Sequence, residues 1–405
     1  MPFRFSARWE DRDQGPNPLS EAITTRKKSG QPILDLTVSN PTHCGLVVPT
    51  DWPRLLDQPA VLEYDPQPQG ILPARQAIAD YYRDRGESVN SEDVFMTAGT
   101  SEGYSHLFKL FCDPGDAVLV PQPSYPLLET LASLEGLRLE TYPLVAQPPD
   151  ADGNVPWHLD RKALEAALTD WTKVLCVVQP NNPTGSSLSK SDAEYLLALA
   201  EKHNLALIVD EVFADYLHGE FTEHGRGNRP VAPTVFGSNG PLIFTLNGLS
   251  KILGLPQLKI AWIHAAGKQS LKTEAKEHLE WICDAYLSVG IAPQVACPEL
   301  LRRRTEFQTP IQERLQTNLS ALREIVKTDS RIQPLWPQGG WCIPVRCPGK
   351  KDDETLALEL LRLQGVQTHP GYFFDFEEEN ILVLSLLTDP GICREVLRSF
   401  LPSAV

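Results

Sequence analysis

Three loops of this chain end in residues that could do chemistry together. Lys251 stands in Gly248-Leu249-Ser250-Lys251, just after the apolar run Leu242–Leu246. Asp210 closes the run Leu205-Ala206-Leu207-Ile208-Val209 and is followed by Glu211-Val212. Asn182 lies in Asn181-Asn182-Pro183-Thr184-Gly185. An amine can add to a carbonyl carbon and then move a proton. A carboxylate at the end of a buried strand can hold a cationic group in its charged form. A fourth junction, Gly99-Thr100-Ser101, follows the strand-like Val94–Thr97 and opens a helical pattern. Free backbone N–H groups and the helix dipole make such a junction an anion site.

Taken singly, each has an ordinary explanation. A lone lysine is usually a solvated surface residue. Asp210 could cap a helix or form a loop salt bridge, and Gly99-Thr100-Ser101 could be an N-capping turn. Asn-Pro and Thr-Gly form turns without any function. The order and spacing favour the joint reading: between 182 and 210 there is room for one helix and one strand.

The elements that must position these residues alternate between strand and helix. Continuous apolar runs occur at Ala117–Val120, Val174–Val178, Leu205–Val209 and Leu242–Thr245, and Ile260–Ile263 adds another. Helical stretches such as Ser189–His203 intervene. In Thr100–Phe111, Tyr104, Leu107, Phe108 and Phe111 recur at helical spacing and are expected to face a core. Strands buried on both faces and separated by helices predict a mostly parallel α/β sheet. Beyond it, Lys268–Ala285 and Pro293–Lys327 read as helical. The C-terminal part is mixed, with strand-like Trp341–Val345 and Ile381–Leu386 around a helical Asp353–Gln364. At 405 residues, two domains are expected.

The net charge of −15 argues against a nucleic-acid partner, which would need a basic face. Eight cysteines show no Cys-x-x-Cys pair, so no metal site is expected. Most have apolar neighbours and read as free thiols in a reducing compartment. Met1–Glu10 lacks the apolar centre of a signal peptide, and no stretch reaches the roughly 18 apolar residues that span a membrane. A cytoplasmic enzyme without a membrane partner is the expectation.

The set Asn182, Asp210 and Lys251, with Gly99-Thr100-Ser101, resembles the class I/II aminotransferases, pyridoxal-phosphate (PLP) enzymes of fold type I. The resemblance covers nearly the whole chain, from about Leu36 to about Phe400. It implies that Lys251 holds the PLP aldehyde as a Schiff base and shuttles the substrate proton. It implies that Asp210 keeps the ring nitrogen protonated and that Asn182 bonds the 3′-oxygen and also reaches the substrate carboxylate. The phosphate falls to Gly99, Thr100, Ser101, Ser250 and Lys259, and the ring to Tyr125 in Pro123-Ser124-Tyr125-Pro126. Tyr64 matches a tyrosine that reaches the phosphate across a dimer interface, so a homodimer with shared sites is implied. Asn40, Trp341 and Phe373 are assigned to the substrate pocket.

Three positions depart from the family pattern. Lys259 stands where a fork-shaped arginine usually grips the phosphate, keeping the charge but losing bidentate geometry. Phe213 replaces a tyrosine, removing a donor to the ring oxygen. Val383 replaces the arginine that usually clamps the substrate carboxylate.

The resemblance implies a large domain, 45–290, with a seven-strand-type mostly parallel sheet, and a smaller α/β domain, 291–405. An N-terminal arm, 1–44, packs with the small domain. The implied activity is transfer of an amino group between an amino acid and a 2-oxo acid. A PLP-dependent lyase or decarboxylase on the same scaffold, or a PLP-binding protein with little turnover, are the other readings.

Overall fold

The computed structural model describes residues 5–6, 8, 15–147, 157–218, 240–327, 331–349 and 351–399. Most of the first 14 residues of the expected arm, and the chain beyond 399, lie outside them.

The arm begins with helix Pro18–Lys28. Asn17 caps it by accepting from the Ser20 N–H, and proline at the first helical position has no N–H to leave unpaired. The arm then forms β1 (Leu34–Asp35).

Eight strands follow in the large sheet: β2 (Val94–Thr97), β3 (Ala117–Gln122), β4 (Arg138–Ala146), β5 (Trp157–Leu159), β6 (Thr172–Val178), β7 (Ala206–Asp210), β8 (Ile243–Gly248) and β9 (Ala261–Ala266). Their order across the sheet is β2-β9-β8-β7-β6-β3-β4-β5. The run from β4 through β3, β6 and β7 to β8 is parallel. β9 is antiparallel to both β8 and β2. Two reversals thus bring the C-terminal end of β2 to the same sheet edge as those of β6, β7 and β8. Seven strands match the expectation; β5 is an eighth, a short antiparallel addition to β4.

The strands at the centre are buried throughout, in keeping with helices on both faces. One face packs Phe95, Tyr104, Phe108 and Ile208 together with helix Gln269–Tyr286. The opposite face packs Leu175, Leu207 and Ile243 against helix Lys190–His203.

The region expected as one helical stretch, Pro293–Lys327, is two helices, Ile291–Arg302 and Arg304–Val326. The first packs Ala296, Cys297, Leu300 and Leu301 with Ala74, Ile78, Leu249 and Trp262 of the large sheet's flank. The second packs Ile311, Leu315, Leu319 and Leu322 into a separate core.

That second core carries a four-stranded antiparallel sheet built from β10 (Gln333–Pro334), β11 (Cys342–Arg346), β13 (His369–Pro370) and β14 (Ile381–Ser385), in the order β10-β11-β14-β13. β12 (Val366–Gln367) pairs in parallel with β1, and Leu19 and Leu36 of the arm are buried in the same core. The arm is therefore part of this second unit's packing. Among the described residues no helix is long and apolar enough to cross a membrane.

Asn318 ties the second core together. Its side-chain amide donates to the carbonyls of Leu386 and Thr388, each at 2.8 Å, and is buried. These carbonyls follow β14, so one side chain fixes the long helix to the end of the strand that carries Val383. Asn318→Ala leaves two carbonyls without their donor. At about 1–3 kcal/mol for an unsatisfied buried group, the unfolding midpoint should fall clearly. Ser320→Ala, on the exposed side of the same helix, should leave it in place. Thermal unfolding followed by circular dichroism compares the two, and equal midpoints would remove Asn318 from this role.

Candidate active site

The shared sheet edge opens into a cavity of about 520 Å³. Its floor comes from the ends of β6, β7 and β8, and its roof from β11, β13 and β14. Thr100, Ser101, Tyr125, Asn182, Asp210, Ser250, Lys251, Trp341 and Phe373, expected from the sequence, all line it.

Asp210 is the last residue of β7 and is buried. Its Oδ1 accepts the Val212 N–H at 3.1 Å, and its Oδ2 accepts the Tyr104 hydroxyl at 3.2 Å. Burial pushes its carboxyl up to about 6; these two hydrogen bonds and the charge of Lys251 pull the other way. Lys251 sits in the helical turn Leu249–Ile252 directly after β8. Its amine lies 4.9 Å from the ring centre of Trp341 and 5.5 Å from that of Phe213. Burial lowers its pKa, partly countered by Cys342 and Asp210. A lysine with a lowered pKa spends more of its time as the free amine, the form that attacks a carbonyl.

The β8-to-lysine junction needs its glycine. A Cβ at Gly248 would stand 2.8 Å from the Ala261 Cβ. Gly185 is equally fixed: its φ is +66°, and a Cβ there would stand 2.2 Å from that of Pro337. It lets the Asn182 loop fold tightly under the second unit. In that loop Asn181 accepts the Thr184 hydroxyl at 2.9 Å, so Asn181 holds the turn while Asn182 faces the cavity.

Helix Thr100–Phe111 begins at the cavity wall with no side-chain cap. Its leading N–H groups are thus available to an anion. A Cβ at Gly99 would lie 3.3 Å from the Lys259 Nζ, so the bare glycine makes room for that ammonium. Gly99 and Lys259 stand behind the lining residues, not among them.

Two expected residues lie elsewhere. Asn40 is exposed, and its side-chain oxygen accepts the Thr42 N–H and hydroxyl, capping the turn Pro41–His43. Its neighbours Thr37 and Ser39 line the cavity instead. Extended chain alternates its faces, which turns residue 40 away when 37 and 39 face in. Tyr64 is 83% exposed and lines a separate pocket with Gly70, Met96 and Gln294.

Sequence reading missed several lining residues. Tyr104 was expected to be core, and it is buried, but its hydroxyl reaches Asp210. A tyrosine one turn into a helix that begins at an anion site was the available signal. His369, Cys342 and Ser385 also line the cavity. They come from short strands whose pairing decides their direction, and no local pattern marks them.

Residues 32–398 match the family described as Aminotransferase class I and II. The chain belongs to this family. It is 26% identical over 373 residues to the glutamate-pyruvate aminotransferase AlaA of Escherichia coli, covering 89% of this chain and 87% of that protein. Mouse (Mus musculus) tyrosine aminotransferase is 25% identical over 376 residues, covering 89% and 79%. The alanine aminotransferase structure from Pyrococcus furiosus superposes with a TM-score of 0.85 at 21% identity, covering 98% of each chain. The protein is a PLP-dependent aminotransferase with the fold of that family. The lyase, decarboxylase and non-catalytic readings are not favoured by these matches.

The residues present fit PLP. An uncapped helix start beside a glycine that leaves room for an ammonium suits a phosphate. A buried carboxylate suits a protonated ring nitrogen, and an amine of lowered pKa suits an aldehyde.

Asp210 exacts a cost from the protein alone. The folded state holds this carboxyl's proton more tightly than the unfolded chain does. Its cost is absent at low pH, grows as pH rises from the unfolded value of about 3.9, and is complete above about 6. Asp210→Asn removes the charge at nearly constant shape. In cofactor-free protein at pH 8 the variant should be the more stable, by up to about 3 kcal/mol. The advantage should shrink as pH falls toward 4. Thermal melts at pH 4, 6 and 8 read this directly, and a variant less stable at pH 8 contradicts it.

Proposed function

We propose that Lys251, Asp210 and Asn182 form the reaction centre of this aminotransferase, with cofactor held by the start of helix Thr100–Phe111, Ser250 and Lys259. The observation that carries this reading is that the Asp210 carboxylate and the Lys251 amine line one cavity at one sheet edge. Bound PLP supplies an aldehyde that captures amines and a ring that withdraws electrons from the reacting carbon.

The protein's residues do the rest. Lys251 would take the proton from the substrate's α-carbon and hold it for return, and do the reverse for the 2-oxo acid. Asp210 keeps a proton on the ring nitrogen, and the Tyr104 and Val212 bonds hold the carboxylate in place. The Asn182 amide would donate to the ring oxygen, and Phe213 offers no hydroxyl there. Tyr125, half-exposed at the cavity, covers the ring. Phe213, Trp341 and Phe373 exclude water from the reacting atoms. Val383 contributes no charge, and apolar amino acids suit this wall best.

The working protein is a cytoplasmic homodimer in this reading. Eight free thiols support a reducing compartment. Tyr64 and its neighbour Leu62 (86% exposed), together with Val47 (86%), support a covering second copy. In the domain division, the arm 1–44 belongs with the small domain, and the large domain begins at about residue 45. It continues past 290 to Arg302, because helix Ile291–Arg302 packs with the large sheet's flank.

Borohydride reduction of the cofactor-loaded protein, followed by digestion and mass spectrometry, tests the centre. The adduct is expected on the peptide that contains Lys251. Lys251→Ala should abolish turnover and leave the fold intact. An adduct on another lysine would sink the assignment.

Tyr64 gives a separate test. Diluting the protein to monomer should release cofactor. Tyr64→Phe should weaken cofactor binding by roughly 0.5–1.5 kcal/mol, the net value of one hydrogen bond. A monomer that keeps full cofactor occupancy contradicts the shared site.

A further inference from the structure

An amino acid that gives up its α-amine, and the 2-oxo acid that accepts it, each carry a carboxylate beside the reacting carbon. A cavity that excludes water must offer this group a counter-charge or a strong donor. Among the described residues, no arginine lines the cavity. Two lining side chains among these residues can carry positive charge, Lys251 and His369. Lys251 is committed to the cofactor and the proton.

The geometry points to His369 as the residue that recognises the substrate carboxylate and so determines which substrates this cavity accepts. This rests on the reading of the cavity as the substrate site. His369 opens β13 and is the direct cross-strand partner of Val383 on β14. Both line the cavity, so the imidazole occupies the same wall beside the apolar Val383 side chain. Its ring lies 5.9 Å from that of Phe373 and 5.8 Å from that of Phe374, which walls it on its own strand's side. Among the described residues neither ring nitrogen has a hydrogen-bond partner, unlike His218, whose Nε2 meets the Gly340 carbonyl at 2.9 Å.

Burial lowers the pKa of His369 in the protein alone, and Asp35 pulls it the other way. An arriving carboxylate is a second negative partner and favours the imidazolium further. The Ser39 hydroxyl can share one of the carboxylate's other lone pairs from the arm, whereas the Thr37 hydroxyl already donates to Asp35 Oδ1 at 2.6 Å. The Ser385 hydroxyl is likewise taken up, donating to the Val38 carbonyl.

The test compares an amino acid with its own carboxamide, which keeps the amine and side chain and removes the negative charge. The cofactor-loaded protein is mixed with each of the twenty protein amino acids, and loss of the cofactor's resting absorbance is followed. The fastest amino acid and its carboxamide are then given to His369→Leu and His369→Lys. In His369→Leu, kcat/KM for the amino acid should fall about ten- to hundredfold, mostly through KM, as expected for losing a hydrogen bond to a charged group. The carboxamide should react as it does with the unaltered protein, and His369→Lys should recover part of the loss. His369→Gln replaces His369→Leu if the latter does not take up cofactor. Amino acid and carboxamide falling together, or neither falling, overturns the assignment while leaving the cavity's reading intact. Unaltered protein that loads cofactor but converts none of the twenty overturns both.

Discussion

A carboxylate buried at the end of a central strand is the constraint from which the rest of this site follows. Charged groups out of water cost several kcal/mol unless partners compensate. Asp210 has three partial compensations: a phenol, one backbone N–H and the charge of a nearby lysine. Each dictates a part of the fold. The phenol requires helix Thr100–Phe111 to lie across the strand ends, the N–H requires the chain to turn sharply after β7, and the lysine requires β8 alongside. What these leave unbalanced is the pocket's selectivity. A ligand with a cationic nitrogen completes the compensation, and a neutral one of the same shape does not.

The second unit supplies the opposite wall through a narrow seam. Gln338 and Gly339 donate their N–H groups to the Gly185 carbonyl at 3.0 and 3.1 Å, and Gly340 donates to that of Tyr216 at 2.8 Å. Trp341 follows at once and packs edge-on against Phe213 and Tyr216, with ring centres 5.4 and 5.2 Å apart. The Tyr216 hydroxyl in turn donates to the Lys251 carbonyl at 2.8 Å. One chain of contacts therefore joins the Asn182 loop, the aromatic wall and the backbone of the reactive lysine. A displaced Trp341 would be felt at Lys251, because cores this tightly packed transmit shape changes.

Much of this was legible in the sequence, and the reason is local. Strands buried on both faces write continuous apolar runs, so β3, β6, β7, β8 and β9 were marked, and with them the strand ends that carry Asp210 and Lys251. β4 was not, because its half-exposed face breaks the run. The division at Arg303 was invisible because Pro298 and Pro310 lie inside the two helices and nothing comparable marks the true break. The missed cavity residues share another cause. Thr37 and His369 reach the site through pairings between segments distant in the chain, and a one-residue change of register would turn each away. Asn40 shows this directly, since a site position inferred by resemblance fell on the wrong face of an extended arm.

The two apolar replacements, Phe213 and Val383, act in the same direction. Each deletes a polar group and adds a hydrocarbon surface, so fewer polar side chains share a drier cavity. In such surroundings each remaining charge or donor acts more strongly than it would in water. In the proposed reading, orientation of the substrate rests on few groups: Lys251 and Asp210 on the floor, Asn182 at the side, and His369 with the Ser39 hydroxyl at the roof. A site with few strong contacts discriminates sharply on what those contacts touch and weakly on the rest. The Cα-bound groups of the substrate are read by the polar set, whereas its side chain meets Trp341, Phe373 and Val383 and is judged by shape. On that proposal, selectivity among amino acids is a packing question at the aromatic wall, and recognition that the molecule is an amino acid at all is an electrostatic one.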